Sequence, residues 1–146
     1  MIKIEIQRTL PFPLAGIFSR LDDIVKLRAL KKDIRELSLV RSESGLQIAD
    51  ATIGLPLFLS FRARLSCATR LEKYCELKQV KGEFREYLCI YELSDSQGGT
   101  DISVSVTIRF RFGFAMIISF LIEPLLRRRI EREFARIEKL ELARAL

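Results

Sequence analysis

From Thr100 to Phe112 hydrophobic and polar residues alternate without a slip. Ile102, Val104, Val106, Ile108, Phe110 and Phe112 share one face, and Asp101, Ser103, Ser105, Thr107, Arg109 and Arg111 share the other. Period two over that length predicts a strand with one buried and one wet face. Beyond Gly113 the spacing turns helical, through Phe114, Ile117, Ile118, Leu121, Ile122 and Leu125, then Leu126, Ile130, Ile137 and Leu140. A strand that buries one face, followed by an amphipathic helix, predicts that the helix lies across that face.

The rest of the chain supplies the remainder of a sheet. Ile2, Ile4 and Ile6 alternate with Lys3, Glu5 and Gln7 as a first strand. Pro11 and Pro13 end it, and Leu14, Ile17, Phe18 and Leu21 follow at helical spacing. Asp22 is placed to cap a second short helix through Ile24, Leu27 and Leu30. Strand patterns then run from Ile34 to Arg41, Leu46 to Ile53, Leu57 to Cys67, about Thr69 to Val80, and Phe84 to Leu93. Turn signals at Ser42–Gly45, Gly54–Pro56, Lys81–Gly82 and Asp95–Gly99 imply an antiparallel meander. The expected order is a strand, two short helices, further strands and a long helix, in one domain spanning 1–146. A sheet of six to seven strands with one long element to cover it must curve around that helix, since each square ångström of apolar surface buried contributes roughly 25 cal/mol. A single helix fills a curved sheet poorly, so an apolar, ligand-binding cavity between them is expected.

Composition narrows the chemistry. The chain has 146 residues, 49% hydrophobic and 30% charged, which is globular rather than disordered. It contains no histidine, which excludes His-based triads and His-ligated zinc. Cys67, Cys75 and Cys89 stand at no metal spacing in strand-like text and read as small buried hydrophobes in a reducing compartment. No nucleophile–base pair, phosphate loop or metal cluster is legible, so no catalytic residue, cofactor or metal is expected. Met1 opens directly onto strand text, and the longest apolar run, Phe112 to Ile122, is shorter than a membrane span, so the expectation is a soluble cytoplasmic protein. The net charge is +6, with Arg127, Arg128, Arg129 and Arg132 close together. That basic helix implies either a solvated face or weak association with RNA or an acidic membrane surface.

The element order resembles the helix-grip fold of the START-like superfamily, and within it the polyketide cyclase and coenzyme Q-binding group. Lys81-Gly82-Glu83-Phe84-Arg85, then Tyr87 and Tyr91-Glu92-Leu93, is similar to the group's Gly-Pro-Phe strand, which ends in an aromatic residue two before Phe or Leu. Gly99-Thr100 resembles its Gly-Thr strand start, and Asp22 and Phe134 also match in place. Glu83 stands where the group usually has Pro, Tyr91 where it often has Trp, and Ile24 to Leu30 where it has aromatic-proline text. The resemblance implies an α+β helix-grip: a curved antiparallel sheet, two short helices near the N-terminus and a long C-terminal helix across the concave face. It also implies a carrier of a lipid, isoprenoid quinone or polyketide-like molecule, a ring-closing cyclase or aromatase, or a ribosome-associated protein. Oligomeric state is left open.

The expected cavity lining is Phe61, Tyr87, Tyr91, Val106, Ile108, Phe110 and Phe112 from the sheet, with Ile118, Leu121, Ile122 and Leu125 from the helix. The phenylalanines read equally as plain core, and the tyrosine hydroxyls as bonded to protein or to a ligand oxygen. Arg62, Arg64 and Glu123 read as surface. Arg127 with Glu131, Arg129 with Glu133, Glu133 with Arg136, and Glu141 with Arg144 have the spacing of weak surface pairs. In the helix, Phe114, Ile118, Leu121, Ile122 and Leu125 centre near Ile118, whereas Leu126, Ile130, Ile137 and Leu140 centre about 100° further round. With Pro124 between them, this predicts a kink or break near 120–124, a gate-like N-terminal half close to the ligand, and an anchoring half beyond it.

Overall fold

The computed structural model describes residues 1–111 and 115–145. Phe112 and Phe114, both named above, lie outside the described residues. Nine-residue β1 (Ile2–Leu10) leads to α1 (Leu14–Phe18) and α2 (Ile24–Leu30). The strands β2 (Ile34–Glu43), β3 (Leu46–Leu55), β4 (Leu59–Arg70), β5 (Tyr74–Gly82), β6 (Glu86–Ser96) and β7 (Gly99–Arg109) follow, and then α3 (Ala115–Ala145). They form one antiparallel, curved sheet in the order β1-β7-β6-β5-β4-β3-β2. The expected α+β helix-grip architecture is therefore present, with seven strands.

Local chemistry explains the elements. Alternation in β7 is reproduced in its burial: Ile102, Val104, Val106 and Ile108 are buried while their neighbours are wetter. Gly99 opens β7 because a Cβ there would stand 2.0 Å from the Leu10 carbonyl oxygen. Helix α2 begins at Ile24, so its cap is Asp23, whose carboxylate accepts from the Val25 N–H at 2.8 Å. Asp22, expected as the cap, lies one residue too early and pairs with Lys26 at 3.3 Å.

One turn departs from expectation. Strand β4 runs on to Arg70, and the chain reverses over Leu71–Lys73 rather than before Thr69. Leu71 and Glu72 hold φ values of 53° and 55°, left-handed conformations normally left to Gly or Asn. The β3–β4 turn does the same, with Leu57 at 65° and Phe58 at 61°. Each such residue costs roughly 1–2 kcal/mol, which the paired strands on either side must offset.

The long helix is continuous through Pro124, so of the expected kink or break the break does not occur. Its buried positions are Ser119, Ile122, Leu126, Ile130, Glu133, Phe134, Ile137 and Glu141. At about 100° per residue these fall within an arc of about 120°, one stripe from end to end. The two displaced stripes read from the sequence come from counting apolar residues alone. The true stripe includes one serine and two glutamates, while Leu121 is turned away from it and half-exposed.

Candidate functional site

The concave face has an apolar end and a charged centre. At the end where α3 begins, Phe61 of β4 stacks on Phe84 with ring centroids 4.5 Å apart. Phe110 lies 5.5 Å from Phe61, and Tyr87 of β6 lies 5.1 Å from Phe84, closing an aromatic wall. The loop carrying Phe84 is fixed by Gln79, whose amide donates to the Phe84 carbonyl at 2.8 Å and whose carbonyl accepts from the Phe84 N–H at 3.1 Å.

Further along the face Lys31, the residue that ends α2, is only 2% exposed. Its ammonium meets the Glu133 carboxylate of α3 at 3.3 Å and lies 4.0 Å from Asp33. The Tyr91 hydroxyl of β6 donates to the other oxygen of Glu133. Asp33 accepts from Arg129 at 2.6 Å, and the same Arg129 nitrogen donates to the Gly54 carbonyl at 2.8 Å. Gly54 is needed there, because a Cβ would stand 2.1 Å from Arg35 Nε, whose side chain crosses it. Arg136 completes the tie by donating to the Leu30 carbonyl at 2.6 Å, satisfying the end of α2.

Burial sets the protonation of this cluster. It opposes the Lys31 ammonium, yet the acidic groups around it, Cys89 and Glu133 ahead of Tyr91 and Tyr87, hold its pKa well above the ordinary lysine value. Burial also raises Cys89, Tyr87 and Tyr91, which therefore stay neutral at pH 7 and leave Glu133 as the counter-charge that matters there. The Glu133 carboxyl is itself raised, mainly by burial, against the opposing pull of Lys31 and the Tyr91 hydroxyl. The Lys31 ammonium and the hydrogen-bonded Glu133 carboxyl thus face each other at 3.3 Å inside a mostly apolar layer.

The structure places the expected lining residues unequally. Phe61, Tyr87, Tyr91, Val106, Ile108, Phe110 and Ile122 are buried in the layer between sheet and helix. Ile118 and Leu125 are partly buried, and Leu121 faces outward. Phe61, Phe110 and Tyr87 share the aromatic wall, while Tyr91 stands with the charged cluster. Sequence reasoning missed Lys31, Asp33 and Glu133. Glu133 lies three residues after Ile130 and four before Ile137, the spacing of the core stripe, and that signal could have found it.

Of the four surface pairs expected on α3, only Glu141 with Arg144 is present, at 3.8 Å, and there Glu141 is buried and also accepts from Arg20 at 2.8 Å. Glu131 instead pairs with Arg8 of β1. Arg129 and Glu133 each turn instead to partners across the fold, Arg129 to Asp33 and Glu133 to Lys31.

Several hollows lined by described residues lie around this layer. A cleft of about 320 Å³ runs between the β3–β4 turn and the flank of α3 at Leu125, Arg128 and Arg132. A smaller one of about 170 Å³ reaches Asp33 and Glu133 between Lys32, Arg129 and Arg136. A wider depression of about 800 Å³ opens on the outer face of the sheet, among Glu36, Asp50, Arg62 and Arg64. Its charged rim suits water rather than an apolar ligand. No group of acidic or cysteine side chains among the described residues is arranged to hold a metal. The three cysteines among them are free and buried, and Cys75 donates to the Leu21 carbonyl at 3.1 Å. Among the described residues no helix is long and apolar enough to cross a membrane.

No family model matches the chain, and no curated protein matches it in sequence. Solved structures do match in shape. A protein of Thermus thermophilus superposes with a TM-score of 0.82 at 16% identity, covering 99% of both chains. The Zhui aromatase/cyclase from Streptomyces sp. R1128 gives 0.81 at 8% identity, over 99% of this chain and 95% of that one. A START superfamily protein from Mycobacterium smegmatis gives 0.69 at 9% identity, over 97% of each. At such identities the likeness speaks for the backbone and not for the chemistry. With the long helix laid across a curved seven-stranded sheet, the chain has the START-like helix-grip fold.

Proposed function

We propose that the protein binds a hydrophobic small molecule between the aromatic wall and the N-terminal half of α3, with the polar end of that molecule turned toward Lys31, Glu133 and Tyr91. The observation that carries this reading is the buried Lys31–Glu133 pair within a mostly apolar concave face. Apolar packing alone would hold helix to sheet, and a buried ion pair contributes little to that end. It does offer a ligand oxygen both a charged donor and a hydroxyl, next to the ring of Tyr87 and the phenylalanines beyond it. A lipid, an isoprenoid quinone and a polyketide-like ring all have that form, an apolar body with oxygen at one end. Fold neighbours that include an aromatase/cyclase and a START protein are consistent with it.

The test is to purify the protein without detergent, denature it, and extract for mass spectrometry. An oxygen-bearing hydrophobic compound is expected, bound about tenfold or more weakly by the Lys31→Met/Glu133→Gln double variant. Protein that releases no such compound, and that shows no saturable uptake of an anilinonaphthalene sulfonate probe, overturns the reading.

A second reading, a cyclase or aromatase, is favoured by one observation. Tyr91, Glu133 and Lys31 form a continuous hydrogen-bonded set in which a proton can be given or taken beside a bound chain. It requires that Tyr91→Phe and Tyr87→Phe lower turnover of a poly-β-keto substrate while binding persists. Unchanged turnover removes those residues from catalysis.

A further inference from the structure

The beginning of α3 turns a broad apolar surface outward, with only Ser119 buried and Ile118 partly so. Met116 is 84% exposed, Phe120 is 80% exposed, and Ile117 and Leu121 are more than half exposed. Four large apolar side chains exposed together on one helix end form a patch of the kind that marks a contact with a partner or a membrane. Beside it, the β3–β4 turn lifts Phe58 to 97% exposure, with Leu57 half-exposed next to it. The left-handed φ values of both residues show that this display is held at the expense of backbone strain. The cleft between Leu57, Phe58, Leu125 and Arg128 joins turn and helix into one surface.

Charge completes that surface. Arg127, Arg128 and Arg132 follow on the same helix, and Arg35 stands beside the turn, all exposed. Among the described residues, none of these four arginines forms an ion pair with the chain's own carboxylates. At 1.5 Å per residue, Arg127 and Arg128 lie about 10–12 Å along the axis from Phe120. Amphipathic segments that rest on a bilayer sink their apolar part about 5–10 Å below the headgroups, which leaves cations at that spacing level with the phosphates. RNA would meet the arginines, but it offers nothing to Met116, Ile117, Leu57 and Leu121, which are aliphatic and stack poorly on bases.

We infer that the tip of α3 and the β3–β4 turn form a docking surface for anionic membranes, with Phe58, Phe120 and their aliphatic neighbours entering the bilayer and the arginines pairing with headgroup phosphates. The surface stands on its own observations and does not need the ligand reading above.

The chain contains no tryptophan, so single Phe58→Trp and Phe120→Trp variants each carry one clean reporter. Both positions are exposed, so folding should be kept. With phosphatidylcholine vesicles containing about one-third phosphatidylglycerol, both variants should show blue-shifted emission and co-sediment with the vesicles. Pure phosphatidylcholine should bind far less, and high salt should release the protein. Replacing Arg127, Arg128 and Arg132 with Gln should weaken binding about fivefold per arginine, and Phe58→Asp or Phe120→Asp should abolish the shift at the remaining tryptophan. No blue shift on anionic vesicles overturns the inference. So does vesicle binding that the two Asp variants leave intact, or a structured RNA fragment that binds tightly while anionic vesicles do not.

Discussion

The two halves of α3 share one backbone and one stripe, yet they are held in opposite ways. From Ile130 to Glu141 every inward position is filled: Ile130, Phe134 and Ile137 pack on the sheet, and Glu133 and Glu141 are tied to Lys31 and Arg20. From Met116 to Leu121 only Ser119 is buried, and four large apolar side chains face outward. The Ser119 hydroxyl finds no hydrogen-bond partner among the described groups. Composition does not explain the contrast, since the apolar half is the less buried one. What differs is the number of partners each half finds across the fold. A helix end with so few partners among the described residues is the part of the molecule most free to meet something else.

The largest effect that tests this contrast lies at the buried pair. Lys31→Met or Glu133→Gln alone should cost about 3–5 kcal/mol in urea unfolding, because each removes the nearest counter-charge of a buried group. The double variant should recover most of that loss. In Lys31→Met the Glu133 carboxyl, already raised by burial and by Asp33 and now without its cation, should rise further. A carboxyl whose folded pKa exceeds its unfolded one binds protons preferentially in the folded state. The variant should therefore gain stability as pH falls from 7 toward the unfolded value of 4.5. In the unmodified protein the raised Lys31 works at the other end of the scale. Its contribution is complete below 10.5 and is lost as pH climbs through the higher folded value. Singles as stable as the parent would show that neither charge is paired inside as described.

Next in size, Ile137→Ala should cost about 2–5 kcal/mol, whereas Ile117→Ala should stay within about 0.5 kcal/mol. Equal costs would break the comparison. Hydrogen exchange should separate the halves by about tenfold or more, with amides 116–122 exchanging faster than 130–140. A bound apolar ligand or an anionic vesicle should slow the first group and leave the second unchanged. The smallest effect is expected midway, where Arg8→Ala removes the half-exposed pair with Glu131 for about 0–1 kcal/mol.

The same contrast marks what could be read from the sequence. Strands β1, β3, β6 and β7 were legible because one face is buried and the other wet, so the period-two pattern is written directly into residue type. Strand β2 was hard to bound because nearly all of it is exposed and two irregularities interrupt its register. The reversal at Leu71–Glu72 carries no glycine, asparagine or proline, since the flanking ladders rather than the turn residues impose it. The aromatic wall was half legible, because Phe61, Tyr87 and Phe110 stand on inward faces while Phe84 sits in a loop. The charged centre was not legible. Lys31 and Glu133 are a hundred residues apart, and nothing in either neighbourhood announces that each is the reason the other can be buried.

The ladder between β1 and β7 has a consequence for how the chain is made. Every other pairing in the sheet joins strands that are neighbours in sequence, whereas Ile2 lies opposite Ile108 and Leu10 opposite Thr100. As the chain grows from its N-terminus, Ile2, Ile4 and Ile6 must wait about a hundred residues for their partners. At synthesis rates of about 5–20 residues per second that is roughly 5–20 s. Meanwhile the β2–β7 meander can zip up hairpin by hairpin, at little cost in loop closure. Strand β1 is thus the element left longest as a bare apolar edge, and closing it makes the floor on which α3 settles. Substitutions along this ladder should be felt first in the yield of folded protein during synthesis, before they are felt in its melting temperature.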